Sequence, residues 1–186
     1  MYGSYADGTH SENSDFDCMV IVDKKTVSQD NSFVSGIQLD LFIYSLDEII
    51  NIDNIDDFVQ LYDAQIIKDT DNIASNLVMG INDHISKNSE KSAVEKSNLK
   101  SWVVKMLRRA EQNDTEGLFR YHWLLTDSLE IYFILRNMYY FGPKKSIAYL
   151  KKNDATAYAL FDSSLKTVGL LYLKEWITYV VAEEID

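Results

Sequence analysis

Cysteine is almost absent from this sequence, which holds one cysteine, Cys18, and three histidines among 186 residues. A single cysteine cannot form an intramolecular disulfide. Cys18 and three scattered histidines also lack the paired spacing of a structural zinc site. The sequence therefore indicates a protein of a reducing compartment, and we expect a cytoplasmic location.

Long apolar runs are missing as well. No segment approaches the roughly 20 apolar residues that a transmembrane helix needs, and the N-terminus has no basic region followed by an apolar signal segment. Even so, 46% of the residues are hydrophobic and 12% are aromatic. That content is enough to bury a core in one domain or in two small ones, so we expect a folded protein with no membrane partner.

Positive charge is scarce in the first half of the chain. Residues 1–85 hold 16 acidic and three basic side chains, a net charge of −13, whereas residues 86–186 hold 13 acidic and 15 basic ones, a net charge of +2. Polyanions bind mainly to lysine and arginine, which displace their counterions, so a nucleic acid polymer is not expected as a partner. A cationic partner suits this surface, although solubility alone also explains the charge.

The first half alternates short strand-like segments with polar stretches such as residues 23–32. The segments with strand spacing are 16–22, 37–44 and 60–67. A helix is predicted to begin within residues 46–50, and residues 71–85 have the pattern of a helix. Residues 86–97 are polar enough for a linker or an exposed helix start, so we place a domain boundary between residues 85 and 86.

The second half has helical spacing. Apolar residues recur there at steps of three and four: Leu118, Tyr121, Leu125, Leu129, Tyr132 and Phe133. Gly142-Pro143 is expected to end this long helix, and two more helices over 144–165 and 170–184 complete a small antiparallel bundle. The predicted fold class is α+β: a small mixed sheet flanked by helices, followed by the bundle.

Two aspartates flank the start of the first predicted strand. Side chains alternate between the faces of a strand, so Asp15 and Asp17 point the same way, with Cα atoms about 6.6 Å apart. Phe16, Cys18 and the valines after them then form an apolar face. Paired carboxylates on one face of a core strand indicate a cation between them.

A third aspartate and a Gly-Ser pair complete the pattern. Asp40 is the one charged residue of the predicted strand 37–44, and it reaches the same cation if the two strands are neighbours, as two-metal phosphoryl transfer requires. Gly3 lets the backbone approach a phosphate closely, while the Ser4 hydroxyl and nearby amides can donate to its oxygens.

Taken together, these residues resemble the DNA polymerase beta superfamily of nucleotidyltransferases. The motif consists of Tyr2-Gly3-Ser4, a gap of ten residues, Asp15-Phe16-Asp17 and the later Asp40. It is similar to that of the small bacterial branch, which includes minimal nucleotidyltransferases and aminoglycoside or lincosamide nucleotidyltransferases. The resemblance makes residues 1–85 the catalytic domain and residues 86–186 a C-terminal helical domain. Such enzymes carry a helix and a strand before the Gly-Ser, which we expect this domain to lack.

The resemblance also implies a reaction and a role for each motif residue. A nucleoside monophosphate would pass from a nucleoside triphosphate, expected to be ATP, to a hydroxyl of a small acceptor such as an aminoglycoside-like antibiotic, and pyrophosphate would leave. Asp15 and Asp17 would bind both metal ions, Asp40 the catalytic one, and Gly3 and Ser4 the triphosphate. Two Mg²⁺ ions are expected, with Mn²⁺ as a substitute. Asp40, or an acid of the helical half, is a candidate general base.

Two alternatives stay open. Minimal nucleotidyltransferases paired with toxins modify a protein, so the acceptor of this chain can also be a protein. A shortened chain can also be an interaction module without turnover. Relatives of this group often form dimers, so the resemblance further predicts a homodimer.

Overall fold

The computed structural model describes residues 1–112 and 114–182. It consists of two compact units, Met1–Ile85 and a second unit that begins at Ser86. The first unit combines a small mixed sheet with helices, and the second is helical. The predicted α+β class is therefore confirmed.

Four strands form the sheet within the described part of the first unit. They are β1 (Phe16–Val22), β2 (Gln29–Asp30), β3 (Phe33–Val34) and β4 (Ile37–Ser45). The central strand is β4, which pairs in parallel with β1 and antiparallel with β2 and β3. Branched and aromatic side chains favour the extended conformation of both long strands. Both were predicted from the sequence, and β4 is one residue longer than expected.

A two-residue turn joins β3 to β4. Ser35 and Gly36 have φ angles of 53° and 84°, and the flanking residues Val34 and Ile37 pair with each other. Two consecutive positive φ angles give a turn whose twist matches that of the paired strands. The turn therefore fixes the register of the short β3 against β4.

Neither face of the sheet is deeply buried. Every residue of β1 is half-buried, including those predicted to form a separate apolar face, and β4 is half-buried from Leu39 onward. Most of the buried side chains of the first unit instead come from its helical segments. They include Ile49, Phe58, Leu61, Leu77, Ile81 and Ile85.

The predicted strand over residues 60–67 is wrong. Ile55–Leu61 forms a 3₁₀ helix, at whose start the Asn54 side chain accepts a hydrogen bond from the Asp56 amide. The described residues 62–67 contain no strand. Phe58 and Leu61 are both buried, and a spacing of three places them on the same side of a helix with about three residues per turn. Of the apolar residues in the predicted strand, Leu61 is buried, whereas Tyr62, Ile66 and Ile67 are exposed. The segment therefore has no continuous buried face of the kind that alternation in a strand would give.

Three α-helices accompany the sheet: α1 (Gly3–Asp7), α2 (Leu46–Ile50) and α3 (Ile73–Ser89). A capping box starts α2, with the Ser45 side chain accepting from the Glu48 amide and the Glu48 side chain accepting from the Ser45 amide. Helix α3 begins two residues later than predicted and ends four residues later. Residues 86–97, predicted to be a linker or an exposed helix start, are therefore mostly helical, with a short break at 90–92 and a new helix that begins at Ala93.

The described residues of the second unit form helices joined by short loops, and contain no strand. The helices are α4 (Ala93–Ala110), α5 (Thr115–Leu135), α6 (Pro143–Asn153), α7 (Ala155–Lys166) and α8 (Leu170–Val181). Helix α5 ends well before Gly142, so the prediction that Gly142-Pro143 stops it is wrong. Pro143 instead occupies the first position of α6, where its fixed φ and missing N–H cost nothing.

The predicted helix over residues 144–165 is interrupted at Asp154. Its carboxylate accepts a hydrogen bond from the Ala157 amide and so caps α7, and it also accepts hydrogen bonds from the hydroxyls of Tyr132 and Tyr179. The predicted end of the last helix, residue 184, lies outside the described residues.

The core of the second unit is centred on Trp176, which is fully buried. Its indole N–H donates a 2.7 Å hydrogen bond to the Ser128 hydroxyl, and its ring packs against Tyr132 and Phe161. None of the helices in the described ranges combines the length and apolar character that a bilayer crossing requires.

Candidate active site

The parallel pairing of β1 with β4 brings two of the predicted aspartates together. In this register Asp17 lies directly opposite Asp40, and directly paired residues of neighbouring strands project from the same face of a sheet. Asp15 precedes β1 by one residue and lies two positions before Asp17. One carboxylate oxygen from each of the three aspartates lies within 4.8 Å of the other two. The structure therefore places Asp15, Asp17 and Asp40 in one cluster, as expected from the sequence.

The donor set of this cluster fits a hard divalent cation. Carboxylate oxygens are the ligands that Mg²⁺ and Mn²⁺ prefer, and oxygens on opposite sides of an ion with metal–oxygen distances of about 2.1 Å lie about 4.2 Å apart. The observed separation of up to 4.8 Å is close to this value, so small side-chain rotations suffice for a shared ion. Asp17 and Asp40 are half-buried whereas Asp15 is exposed, which leaves one side of the cluster open to a substrate.

Gly3 lies against the carboxylate of Asp17. Its φ angle is +67°, and a Cβ atom built at this position would lie 2.3 Å from Asp17 Oδ2. Any residue other than glycine would therefore be strained and would also displace the carboxylate. The Tyr2 amide donates a 3.1 Å hydrogen bond to the Asp17 carbonyl, which attaches the Gly-Ser segment to β1. The structure therefore places Gly3 next to Asp17, while the binding of a triphosphate by the Gly-Ser pair stays a prediction.

Ser4 is 8% exposed and belongs to the short helix α1. Its carbonyl accepts hydrogen bonds from the amides of Gly8, Thr9 and His10. These bonds close a compact turn directly after the Gly-Ser pair. They fix the backbone of Ser4, while a contact between its hydroxyl and a phosphate stays a prediction.

The loop between the two halves of the motif is held by ring contacts. The rings of Tyr5 and His10 stack with centroids 4.3 Å apart, and Tyr5 also meets the edge of Phe16 at 5.5 Å. In the sequence Phe16 lies between the metal-binding candidates Asp15 and Asp17. The loop and the start of β1 are therefore packed together, an arrangement that spacing alone did not reveal.

Sequence reasoning also missed Gln65, which holds the N-terminal segment from another direction. The amino group of Met1 donates a hydrogen bond to the backbone carbonyl of Gln65 at 3.0 Å, and the backbone amide of Gln65 donates one to the Met1 carbonyl at 2.8 Å. The Gln65 side chain donates to the carbonyl of Ala6. No pattern marks this residue in the sequence, because it lies in the segment that was wrongly predicted to be a strand.

A second missed residue, Gln29, contacts the cluster itself. Its side-chain amide donates a 2.9 Å hydrogen bond to Asp40 Oδ1. Gln29 belongs to β2, a strand of two residues inside the polar stretch 23–32. So short a strand has no alternating pattern, so the sequence gives no signal for it.

The phenol of Tyr2 is buried beside the acidic cluster. Burial raises its pKa well above the ordinary value, and the negative charges of Asp17 and Asp40 raise the pKa further. The phenol therefore stays neutral and adds no negative charge next to the three carboxylates.

Comparison with known proteins agrees with this geometry. A family model described as "Nucleotidyltransferase domain" matches residues 1–105, which include all the motif residues and more than half of the chain. Comparison with curated proteins and with solved structures gives no match.

Proposed function

The chain belongs to the nucleotidyltransferase domain family, and we propose that its reaction depends on divalent metal ions held by Asp15, Asp17 and Asp40. Members of this family are enzymes that transfer a nucleoside monophosphate from a nucleoside triphosphate. The observation that carries this proposal is the approach of three carboxylates to within 4.8 Å of one another. Divalent ions are typical of nucleotidyltransferase domains. Like charges this close repel one another unless a cation lies between them.

The roles of the individual residues follow from their positions. Asp15 and Asp17 would ligate both ions, and Asp40, opposite Asp17 on β4, would ligate the catalytic one. Mg²⁺ bound here would neutralise negative charge that develops at the α-phosphate. Gly3 and Ser4 would receive the triphosphate, since the backbone after Gly3 makes a compact turn beside Asp17.

The transfer itself is a substitution at the α-phosphorus. An acceptor hydroxyl attacks this atom, a new phosphorus–oxygen bond forms, the bond to the β-phosphate oxygen breaks, and pyrophosphate leaves. The hydroxyl proton passes to a carboxylate base, for which Asp40 is the candidate within the first unit. The protein accelerates the step mainly by alignment and by charge neutralisation.

The acceptor that we propose is a small, hydroxylated and cationic molecule, of the kind that aminoglycoside antibiotics represent. The support for it is the net charge of −13 over residues 1–85, because an acidic surface attracts cations and repels polyanions. Modification of such a molecule would make the protein an antibiotic-resistance enzyme.

Calorimetric titration tests the metal site. Wild-type protein is titrated with a non-hydrolysable ATP analogue with and without Mg²⁺, alongside an Asp15→Asn, Asp17→Asn double variant. We expect Mg²⁺-dependent binding to the wild type and its loss in the double variant. A matched control is the Asp53→Asn, Asp83→Asn double variant, which makes the same change in charge at two exposed positions of the first unit. Equal loss in both variants, or no binding to the wild type, contradicts the proposal.

A turnover assay tests the acceptor. The protein is incubated with Mg²⁺, radiolabelled ATP and a panel of hydroxylated molecules that differ in positive charge. We expect labelled adducts and pyrophosphate with the cationic members of the panel and little product with their neutral analogues. Label that appears on protein instead would refute the small-molecule acceptor.

A further inference from the structure

One polar contact of the acidic cluster comes from outside the sequence motif. Gln29 lies on β2 opposite Phe42 of β4, and Phe42 and Asp40 are two residues apart on the same face of β4. The side chain of Gln29 therefore projects from the same face as Asp40, at the distance of a diagonal neighbour. From there its Nε2 atom donates a 2.9 Å hydrogen bond to Asp40 Oδ1.

The backbone around Gln29 is fixed on both sides. The amide of Ile43 donates to the Ser28 carbonyl at 2.9 Å, and the amide of Leu39 donates to the Ser32 carbonyl at 2.8 Å. These two bonds attach the β2 segment to β4 before and after Gln29. A donor with so constrained a backbone can hold a carboxylate in one orientation better than one on a mobile loop.

The chemistry of the contact also suits a metal ligand. The amide of a glutamine is neutral, so it satisfies one carboxylate oxygen without bringing a positive charge that would compete with a metal ion. The remaining lone pairs of Asp40 can still coordinate. A lysine in this position would offset part of the negative charge of the three carboxylates and weaken their attraction for a cation.

We infer that Gln29 is a positioning residue for the proposed metal site. Its side-chain amide fixes the rotation of the Asp40 carboxylate, so that Asp40 meets the ion shared with Asp17 in the correct orientation. The inference rests on the proposed function, since it assigns a role to Gln29 only if Asp40 binds metal. Mutation of a residue that hydrogen-bonds to a metal ligand typically lowers metal affinity or activity by about 10- to 100-fold.

The test compares the Mn²⁺ affinity of four proteins in the absence of nucleotide: the wild type, Gln29→Met, Gln29→Ala and Asp40→Asn. The affinity is obtained from the electron paramagnetic resonance signal of unbound Mn²⁺. Methionine keeps the length of the side chain without an amide. The matched control is Gln60→Ala, which removes an exposed glutamine whose amide donates to the Asp57 carbonyl. We expect both Gln29 variants to bind Mn²⁺ about 10- to 100-fold more weakly and Gln60→Ala to bind it like the wild type.

A second readout separates positioning from general stability. The Gln29 variants should need more Mg²⁺ for half-maximal activity, while kcat at saturating Mg²⁺ falls less than it does in Asp40→Asn. Thermal unfolding without metal should be similar in Gln29→Met and the wild type. If Gln29→Ala does not fold, Gln29→Met still decides the question.

The possible failures are distinguishable. Wild-type affinity in both Gln29 variants, together with lost binding in Asp40→Asn, would overturn the role of Gln29 and leave the proposed function standing. Wild-type protein that binds no Mn²⁺ would overturn the proposed metal site and the role of Gln29 with it.

Discussion

Replacement of Gly3 by alanine should damage the proposed metal site through a single methyl group. The added Cβ would lie 2.3 Å from Asp17 Oδ2, whereas real Cβ atoms keep at least 3.0 Å and mostly 3.4 Å from other atoms. The carboxylate therefore has to retreat by about 0.7–1.1 Å, the difference between these distances. A misplacement of about 1 Å in a catalytic arrangement can cost about 100-fold in rate.

The same substitution also strains the backbone. The φ angle of Gly3 is +67°, and a residue with a Cβ atom pays about 1–2 kcal/mol in this left-handed region. Gly8 offers a matched control, because its φ angle is +76° and a Cβ atom there would meet nothing within 4 Å. Gly8→Ala therefore carries the backbone cost without the displacement of Asp17.

Urea denaturation, Mn²⁺ binding and turnover are measured for both variants. We expect each to lose about 1–2 kcal/mol of unfolding free energy, while only Gly3→Ala loses metal affinity and about 100-fold in turnover. Unchanged metal affinity and turnover in Gly3→Ala would refute the reasoning. Equal losses of activity in the two variants would also refute it, because backbone strain would then explain the effect.

Three further predictions concern stability and ionisation. Ser128→Ala leaves the buried indole N–H of Trp176 without its acceptor and should lower the unfolding free energy by about 1–3 kcal/mol in urea denaturation. Burial opposes the charged form of Asp154, but hydrogen bonds from two tyrosine hydroxyls and a backbone amide hold its pKa below the ordinary value of 3.8. Asp154→Asn should therefore destabilise most above about pH 4, and the difference should shrink as the pH falls through the folded-state pKa. Hydrogen bonds from the Lys25 ammonium and the Ser45 amide and hydroxyl lower the pKa of Glu48 to about 2, so carboxyl NMR should show it ionised at about pH 3.

Each of these predictions has a clear contrary result. Ser101 lies on the exposed face of α4, so Ser101→Ala should change the unfolding free energy by less than about 0.5 kcal/mol. If Ser128→Ala lowers the unfolding free energy no more than this control does, the buried hydrogen bond between Trp176 and Ser128 does not contribute measurably to stability. An Asp154→Asn effect that is constant down to pH 2, or a Glu48 carboxyl that titrates near its ordinary value of 4.5, would contradict the hydrogen-bond assignments.

The metal-site candidates could be identified from sequence because strand periodicity is strict. Asp15 and Asp17 flank one residue of β1, and Asp40 interrupts an apolar strand, so each is conspicuous in the sequence. Their convergence depends on the parallel pairing of β1 with β4, which a pattern within one strand cannot specify. The family motif supplied that expectation, and the register of the two strands agrees with it.

Other features could not be predicted because their signals are short or ambiguous. Over residues 60–67 the apolar residues resemble a strand pattern, but Leu61 is buried at the end of a 3₁₀ helix while Ile66 and Ile67 are exposed, and the sequence pattern does not show this difference. A Gly-Pro pair can follow one helix or start the next, and Pro143 starts one. Only Asp154 separates the end of α6 from the start of α7. So short a break hardly changes the apolar periodicity, and the sequence therefore resembles one continuous helix.

The parallel register of β1 and β4 also determines where this sequence can change in length. A strand turns each successive side chain to the opposite face. If the rest of the sheet keeps its register, inserting or deleting one residue between Asp17 and the end of β1, or within β4 before Asp40, would shift the pairing on one side of the change. Asp17 and Asp40 would then no longer face each other. The segment over residues 23–27, which links β1 to the part of the chain paired with β4, lies outside the paired stretch and can absorb such length changes. Natural or engineered length variants that keep the carboxylates together should therefore concentrate their insertions and deletions in that segment.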